Sequence, residues 1–409
     1  MLDRNTRWAI CALLVIAFVV RLICVLTREY TIGVDGSEYL ALGQNIRLHA
    51  VYSYGAPHQW GDRGVLDSTG PFPPTAARAP LYPLMIAGLW WDHQPPLLAI
   101  RLAQAVLGSL TVLFVYLTAL RVFGPRAALL AGLAIALGPL SSELTTTIVS
   151  ESLFNFLTSA SVWLWSKQRG VMAGLLLGAA TLTRAIALPI VVLIGILAIL
   201  FKFNRSLHTR IVLAALLVVV PWSVRNAITQ HSIVPVSTMG WGANILLGTR
   251  PVTYGSGNPF LTYVKDDTFI EAIRTTSTEA DAEKIMLRAG LERIRQAPLH
   301  WLWVRITQFP RLFVETPSYL FRYVPLPPPI VTGAYFLGTF LFLGLAATGM
   351  VMTLRRWRQT YPFALFIVPI TALFFVGANE ERYSLAILPM TAVFAGFALS
   401  ALTRGKTTP

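Results

Sequence analysis

Ten charged side chains stand beside apolar runs, where they could do chemistry: Asp35, Glu38, Arg78, Glu143, Glu151, Arg184, Arg225, Glu380, Glu381 and Arg382. The first apolar run is followed by Gly33-Val34-Asp35-Gly36-Ser37-Glu38-Tyr39-Leu40. Wound into a helix, this segment puts Asp35, Glu38 and Tyr39 on one face. Two neighbouring carboxylates push one pKa upward, which suits a general base. An aspartate that caps an interfacial helix accounts for the same residues without chemistry. Arg78 precedes the rigid turn Ala79-Pro80-Leu81-Tyr82-Pro83, and could grip a phosphate bidentately or snorkel to the interface. Arg184, Arg225 and Arg382 stand on the side of the membrane that basic residues avoid, so each asks for a partner or a ligand. Arg382 has a local one on offer in Glu380 or Glu381. Carboxylates and guanidiniums gathered at one membrane face suit an anionic amphiphile whose head lies at the interface and whose tail lies in lipid.

The elements that must position these groups are membrane helices. Of 409 residues, 55% are hydrophobic and only 13% charged, against roughly 25% charged in soluble domains. Apolar runs near the spanning length recur along the chain, and lipid forces such runs to be helical. Spans are expected at about 8–27, 97–120, 127–141, 150–166, 170–183, 185–202, 210–223, 331–353, 361–377 and 383–402. The fifth is short enough to be a half-helix or to lean on a neighbour. Arg21, near the outer end of the first span, is expected to snorkel. The division expected is an N-terminal membrane module over 1–223 that carries a catalytic outer loop at 28–96, a second outer loop at 224–330, and C-terminal helices with a short tail over 331–409. The second loop holds a helix expected at about 267–297, and the apolar stretch 82–91 reads as interfacial. The N-terminal run lacks a small-residue cleavage pattern and is read as a retained first helix.

Charge placement orients the chain. With both termini in the cytoplasm, the inward segments hold Arg4, Arg7, Arg121, Arg126, Lys167, Arg169, Lys202, Arg205, Arg210, Arg355, Arg356, Arg358, Arg404 and Lys406 against one acid, Asp3. The net charge of +14 is then a record of topology, and no nucleic-acid partner is needed to explain it. Cys11 and Cys24 lie in one helix roughly 20 Å apart and cannot pair. The histidines, His58 and His93 among them, are scattered, and no three stand at ligand spacing. No P-loop, nucleophile elbow, Rossmann glycine pattern or HExxH occurs, which argues against a nucleotide-linked donor.

Taken in order, Asp35-Gly36-Ser37-Glu38-Tyr39, Arg78-Ala79-Pro80-Leu81-Tyr82-Pro83, Ser150-Glu151-Ser152-Leu153, Leu182-Thr183-Arg184, Pro221-Trp222-Ser223-Val224-Arg225-Asn226 and Arg382-Tyr383 resemble the GT-C membrane glycosyltransferases. The branch it is similar to holds the dolichyl-phosphate-mannose–protein mannosyltransferases and the aminoarabinose lipid A transferases. The resemblance implies an all-α polytopic fold and an inverting hexosyl or pentosyl transfer from a polyprenyl-phosphate-linked donor to a lipid, glycan or protein acceptor. It also implies a periplasmic site in a bacterial inner membrane. It casts Asp35 as the base, assisted by Glu38 and Glu151. Arg78, Tyr82, Arg184, Arg225 and Arg382 would hold the donor phosphate, with a divalent metal left open. Many relatives carry two prolines after the basic residue, whereas Ala79 precedes Pro80 here. Other functions weighed on the same residues are a flippase of lipid-linked sugars, a non-catalytic protein that binds them, and a polysaccharide polymerase or ligase.

Overall fold

The structure is a computed structural model that describes residues 3–28, 32–55, 72–92, 94–238, 240–251, 266–314, 320 and 324–403. His58, His93, Arg404 and Lys406 lie outside the described residues, as do most of the tips of both outer loops. The first half winds through α1 (Arg4–Thr27), α2 (Val34–His49), α3 (Leu81–Leu89), α4 (Leu97–Phe123), α5 (Pro125–Ala136), α6 (Pro139–Glu143), α7 (Glu151–Ser166), α8 (Gly170–Thr181), α9 (Leu188–Leu200) and α10 (Arg205–Gln230). The second outer segment holds α11 (Trp241–Leu247), α12 (Asp267–Thr275), α13 (Glu279–Gln296) and α14 (Pro298–Gln308). The chain then returns through α15 (Pro328–Met352), α16 (Trp357–Val376) and α17 (Leu388–Leu402).

Each of the ten expected spans falls on helix. Among the described residues, five helices are long and apolar enough to cross a membrane, at Arg4–Thr27, Leu97–Phe123, Arg205–Gln230, Pro328–Met352 and Leu354–Val376, and four more are apolar but shorter. The short fifth run leans on a neighbour as expected. Gly170, Gly174 and Gly178 form a stripe along α8, and a methyl group on Gly174 or Gly178 would strike the backbone of Ile211 or Ala215 in α10. This small-residue spacing is what lets helices meet closely in lipid.

Three expectations need correction. The span drawn over 127–141 breaks at Gly138 into α5 and α6. The helix drawn over 267–297 is two, α12 capped by Asp266 and α13 capped by Thr278, whose side chains accept from the first-turn amides. Arg21 does not snorkel: it is 1% exposed, and its guanidinium donates to the carbonyls of Ala17, Ile135 and Ala136. The chain stops being helical where Gly138 precedes Pro139, which opens α6, and Arg21 satisfies carbonyls that α5 leaves open.

Candidate active site

The site is a cavity of about 480 Å³ where the two outer segments meet over the bundle, with Asp35, Arg78, Arg184, Glu380, Arg382 and Trp241 in its wall. Asp35 stands in the first turn of α2, where the helix dipole favours a carboxylate. Gly33 caps this helix, so the capping role considered for Asp35 does not apply. Gly36 lets α2 pass close to Ile148, since an added Cβ would lie 3.3 Å from that residue.

Asp35 is held between two arginines. Its Oδ1 meets Arg78 Nη2 at 2.5 Å and its Oδ2 meets Arg382 Nη1 at 2.5 Å. Each arginine has a second carboxylate: Arg78 Nε lies 2.6 Å from Glu38, and Arg382 Nε lies 2.5 Å from Glu380. The result is an alternating row, Glu38–Arg78–Asp35–Arg382–Glu380. The local Arg382–Glu380 pair considered from sequence therefore exists beside the long-range one. Burial alone would raise the Asp35 carboxyl, but Arg382 and Arg78 outweigh it and hold the group well below the usual carboxylate range. Asp35 therefore departs from the upward shift considered from its spacing to Glu38: the two carboxylates share Arg78 rather than face each other bare.

Arg184 forms a second pair, with Nη1 2.7 Å from Glu151 and 3.3 Å from Ser150 Oγ, which also receives the Tyr39 hydroxyl. Tyr39 lies 5.4 Å beneath the Arg78 guanidinium. Glu38 and Glu151 are 1% and 3% exposed and stand behind the arginines, outside the wall of the large cavity. Tyr82 is fully buried: its hydroxyl meets Gln104, whose amide reaches the carbonyls of Thr145 and Thr147. Arg225 is apart from the row. It donates to the carbonyls of Thr75 at 2.5 Å and Tyr52 at 3.3 Å, and stacks over Tyr52 and Trp222.

These contacts set Arg78 in place. The Tyr52 hydroxyl donates to the Arg78 carbonyl at 2.9 Å. The amide of Leu81 donates to Leu182 at 2.9 Å, which ties the Arg78 turn to the segment bearing Arg184. Glu279 of α13 accepts from Thr75 Oγ1, Ala76 N and Thr238 Oγ1 at 2.5, 2.8 and 3.1 Å. Sequence reading missed Glu279 and Trp241. Glu279 sits in an ordinary charged helix, and nothing local marks it. Trp241, flanked by Gly240 and Gly242, was the one visible signal.

Among the described residues no group of three or more His, Cys, Asp or Glu side chains could hold a metal ion. Both Asp35 oxygens are engaged by arginines, so the residues here do not fit a divalent cation at that carboxylate.

An oligosaccharyltransferase of Archaeoglobus fulgidus, crystallised with Zn and sulfate, matches 95% of this chain with a TM-score of 0.55 at 15% identity. This chain has the GT-C fold. AglB of the same organism, bound to an inhibitory peptide and a dolichol-phosphate, matches 98% of the chain with a TM-score of 0.51 at 13% identity. ArnT of Cupriavidus metallidurans, bound to undecaprenyl phosphate, matches 97% of it and 78% of its own length, with a TM-score of 0.44 at 14% identity. The chain spans about half the length of the oligosaccharyltransferases, 49% and 51%. Residues 78–224 match the family model described as dolichyl-phosphate-mannose-protein mannosyltransferase, a segment that starts at Arg78 and ends just before Arg225. No curated protein matches the chain. The GT-C resemblance drawn from the motifs is borne out, and the apolar helices mark an integral membrane protein.

Proposed function

We propose that this chain moves a sugar from a polyprenyl-phosphate-linked donor to an acceptor hydroxyl at the outer face of a bacterial inner membrane. The observation that carries the reading is Asp35 gripped by Arg78 and Arg382 in the wall of a cavity that also presents Arg184. The orientation has separate support: Arg121, Lys167, Arg169, Arg205, Arg355 and Arg356 all sit at the ends of the helices remote from Asp35, and basic residues favour the cytoplasmic side.

In this mechanism the donor phosphate enters against Arg382, Arg184 and Arg78. Guanidiniums suit it, since they bind phosphate through paired N–H groups and cannot lose their charge. The phosphate draws the arginines away from Asp35, whose basicity rises as they leave. Asp35 then orients the acceptor hydroxyl and takes its proton. The acceptor oxygen attacks the anomeric carbon in line, the bond from that carbon to the phosphate oxygen breaks, and the electron pair leaves on the lipid phosphate. The configuration inverts. Arginines stabilise the charge that gathers on the leaving group. Glu38 and Glu151 hold Arg78 and Arg184 from behind, and Tyr82 and Arg225 brace the loop. AglB, similar in fold and bound to a dolichol-phosphate, agrees with a lipid phosphate as the ligand.

The test is transfer of label from polyprenyl-phosphate sugars to membrane extract by the purified chain. Transfer by wild type that fails with Asp35→Asn and Arg78→Ala supports the reading. Equal transfer by the variants removes the site from the chemistry. Movement of labelled lipid across reconstituted vesicles, with no donor consumed, replaces transfer with transport.

A further inference from the structure

A second large cavity lies at the other membrane face. Its volume is about 420 Å³, and it opens among Arg121, Trp165, Gln168, Asn204, Arg358 and Tyr361. It forms where α4 and α7 end and where α10 and α16 begin, so the same helices that frame Asp35 at one end frame this space at the other. A helix the length of α4 spans about 40 Å, which separates the two cavities by the thickness of a membrane.

The chemistry of the wall is one-sided. Two arginines line it, and no aspartate or glutamate does. Arg121 Nε donates to the Ser166 carbonyl at 2.8 Å, which fixes the group and leaves its terminal nitrogens without a protein acceptor among the described residues. The Arg358 guanidinium rides over the rings of Phe203 at 5.3 Å and Trp357 at 5.7 Å. Stacking of that kind fixes the plane of the group and consumes none of its hydrogens. Trp165 is 2% exposed, and its indole N–H makes no well-formed hydrogen bond, with only a weak contact to the neighbouring Tyr361 hydroxyl. A buried indole donor held so loosely can turn to a better acceptor. The Tyr361 hydroxyl is already bound to His208 Nε2 at 2.7 Å. Gln168 and Asn204 take left-handed backbone conformations, with φ of 61° and 51°, a cost borne by few non-glycine residues.

Ordinary topology explains basic residues scattered at this face, but not a cavity, a loosely held buried donor and two arginines without acids in one place. Fixed positive charge with N–H donors and no competing carboxylate is the complement of a tetrahedral oxyanion. We infer that this cavity binds a phosphate-type anion, as the head group of an anionic phospholipid in the adjoining leaflet or as soluble phosphate. The inference stands apart from the chemistry assigned to Asp35, because it uses none of the same residues.

Native mass spectrometry of the full chain released from detergent tests it, with phosphatidylglycerol, phosphatidylcholine and inorganic phosphate as probes. Wild type is expected to hold phosphatidylglycerol at least about tenfold more tightly than phosphatidylcholine, and about tenfold more tightly than Arg121→Gln/Arg358→Gln does. Trp165→Phe keeps the ring and the charge but removes the donor, and should weaken binding about three- to tenfold. Inorganic phosphate that raises the unfolding temperature of wild type, but not of the double variant at equal ionic strength, names the soluble ion as a ligand. Retention of the lipid without that rise names the head group. Equal retention by wild type and double variant overturns the inference and returns anion binding to the arginines of the first cavity. If the double variant does not fold, Trp165→Phe and Arg358→Gln decide singly, and unchanged affinity in both overturns it as well.

Discussion

The bundle interior and the outer cavity use buried arginines in opposite ways. Inside the bundle, Arg21 lies on the carbonyls of Ala17, Ile135 and Ala136. Arg101 lies on those of Val25 and Arg28 at the end of α1, and Arg305 on that of Gly377 at the end of α16. Each finishes a helix whose last carbonyls have no intrahelical donor, where the partial negative charge of the helix C-terminus suits a guanidinium. In the outer cavity, Arg78, Arg184 and Arg382 lie on carboxylates instead. A carbonyl-bound arginine cannot leave without orphaning a helix end. A carboxylate-bound arginine at a cavity wall can exchange one anion for another. The partner, more than the depth of burial, separates the arginines that build from those able to bind.

The sharpest way to break this contrast is to neutralise the shared carboxylate. Asp35→Asn is expected to lower sugar transfer by about 10³-fold, while binding of lipid phosphate holds or tightens because the two arginines lose a competitor. Loss of both together would make Asp35 a structural pillar like the helix ends. Next in size is Arg382→Ala, which should cost about 10²- to 10³-fold in transfer, with Arg382→Lys recovering part of it, measured with labelled donor.

The interior side of the contrast predicts stability effects without chemical ones. Arg21→Met leaves the carbonyl of Ala136 open and that of Ile135 with only the Ser141 hydroxyl, and should destabilise the bundle by about 1–3 kcal/mol, seen as a lower unfolding temperature in detergent. Transfer per folded molecule should change less than about threefold. A large loss of transfer at unchanged stability would move Arg21 into the site.

The smallest effect concerns pH. The Asp35 carboxyl is depressed in the folded chain, so its pairing with arginine is fully present above the unfolded value, about 4. That contribution is lost only as pH falls through the lower folded value. Between about pH 5 and 8 the pH profile of kcat/KM should therefore carry no limb from Asp35. A limb near pH 6 that disappears in Asp35→Asn would show a free carboxyl and undo the row of pairs.

How legible each part was depends on the range of the contact involved. Asp35, Glu38 and Tyr39 share a face because they are three and four residues apart, and a helical repeat is a local property. The ten apolar runs were readable for a similar reason, since lipid leaves a chain no alternative to helix. The partner of Arg225 was not legible: its charge at that helix end asked for one, and the partner is backbone at Thr75 and Tyr52. Carbonyls carry no residue identity, so no sequence pattern announces them. Glu279 was missed because its bonds to Thr75 and Ala76 cross 204 and 203 residues.

The sequence by itself determined that this is a helical membrane protein, which end of each helix carries the basic residues, and which charged side chains stand at the opposite end. Composition and spacing suffice for that, because each follows from one chain segment and its solvent. Only the tertiary structure decided which carboxylate each arginine takes. Asp35 and Arg382 are 347 residues apart, and they meet because α2 and the turn after α16 are packed against the same bundle. That packing makes Asp35 a paired anion rather than a free base.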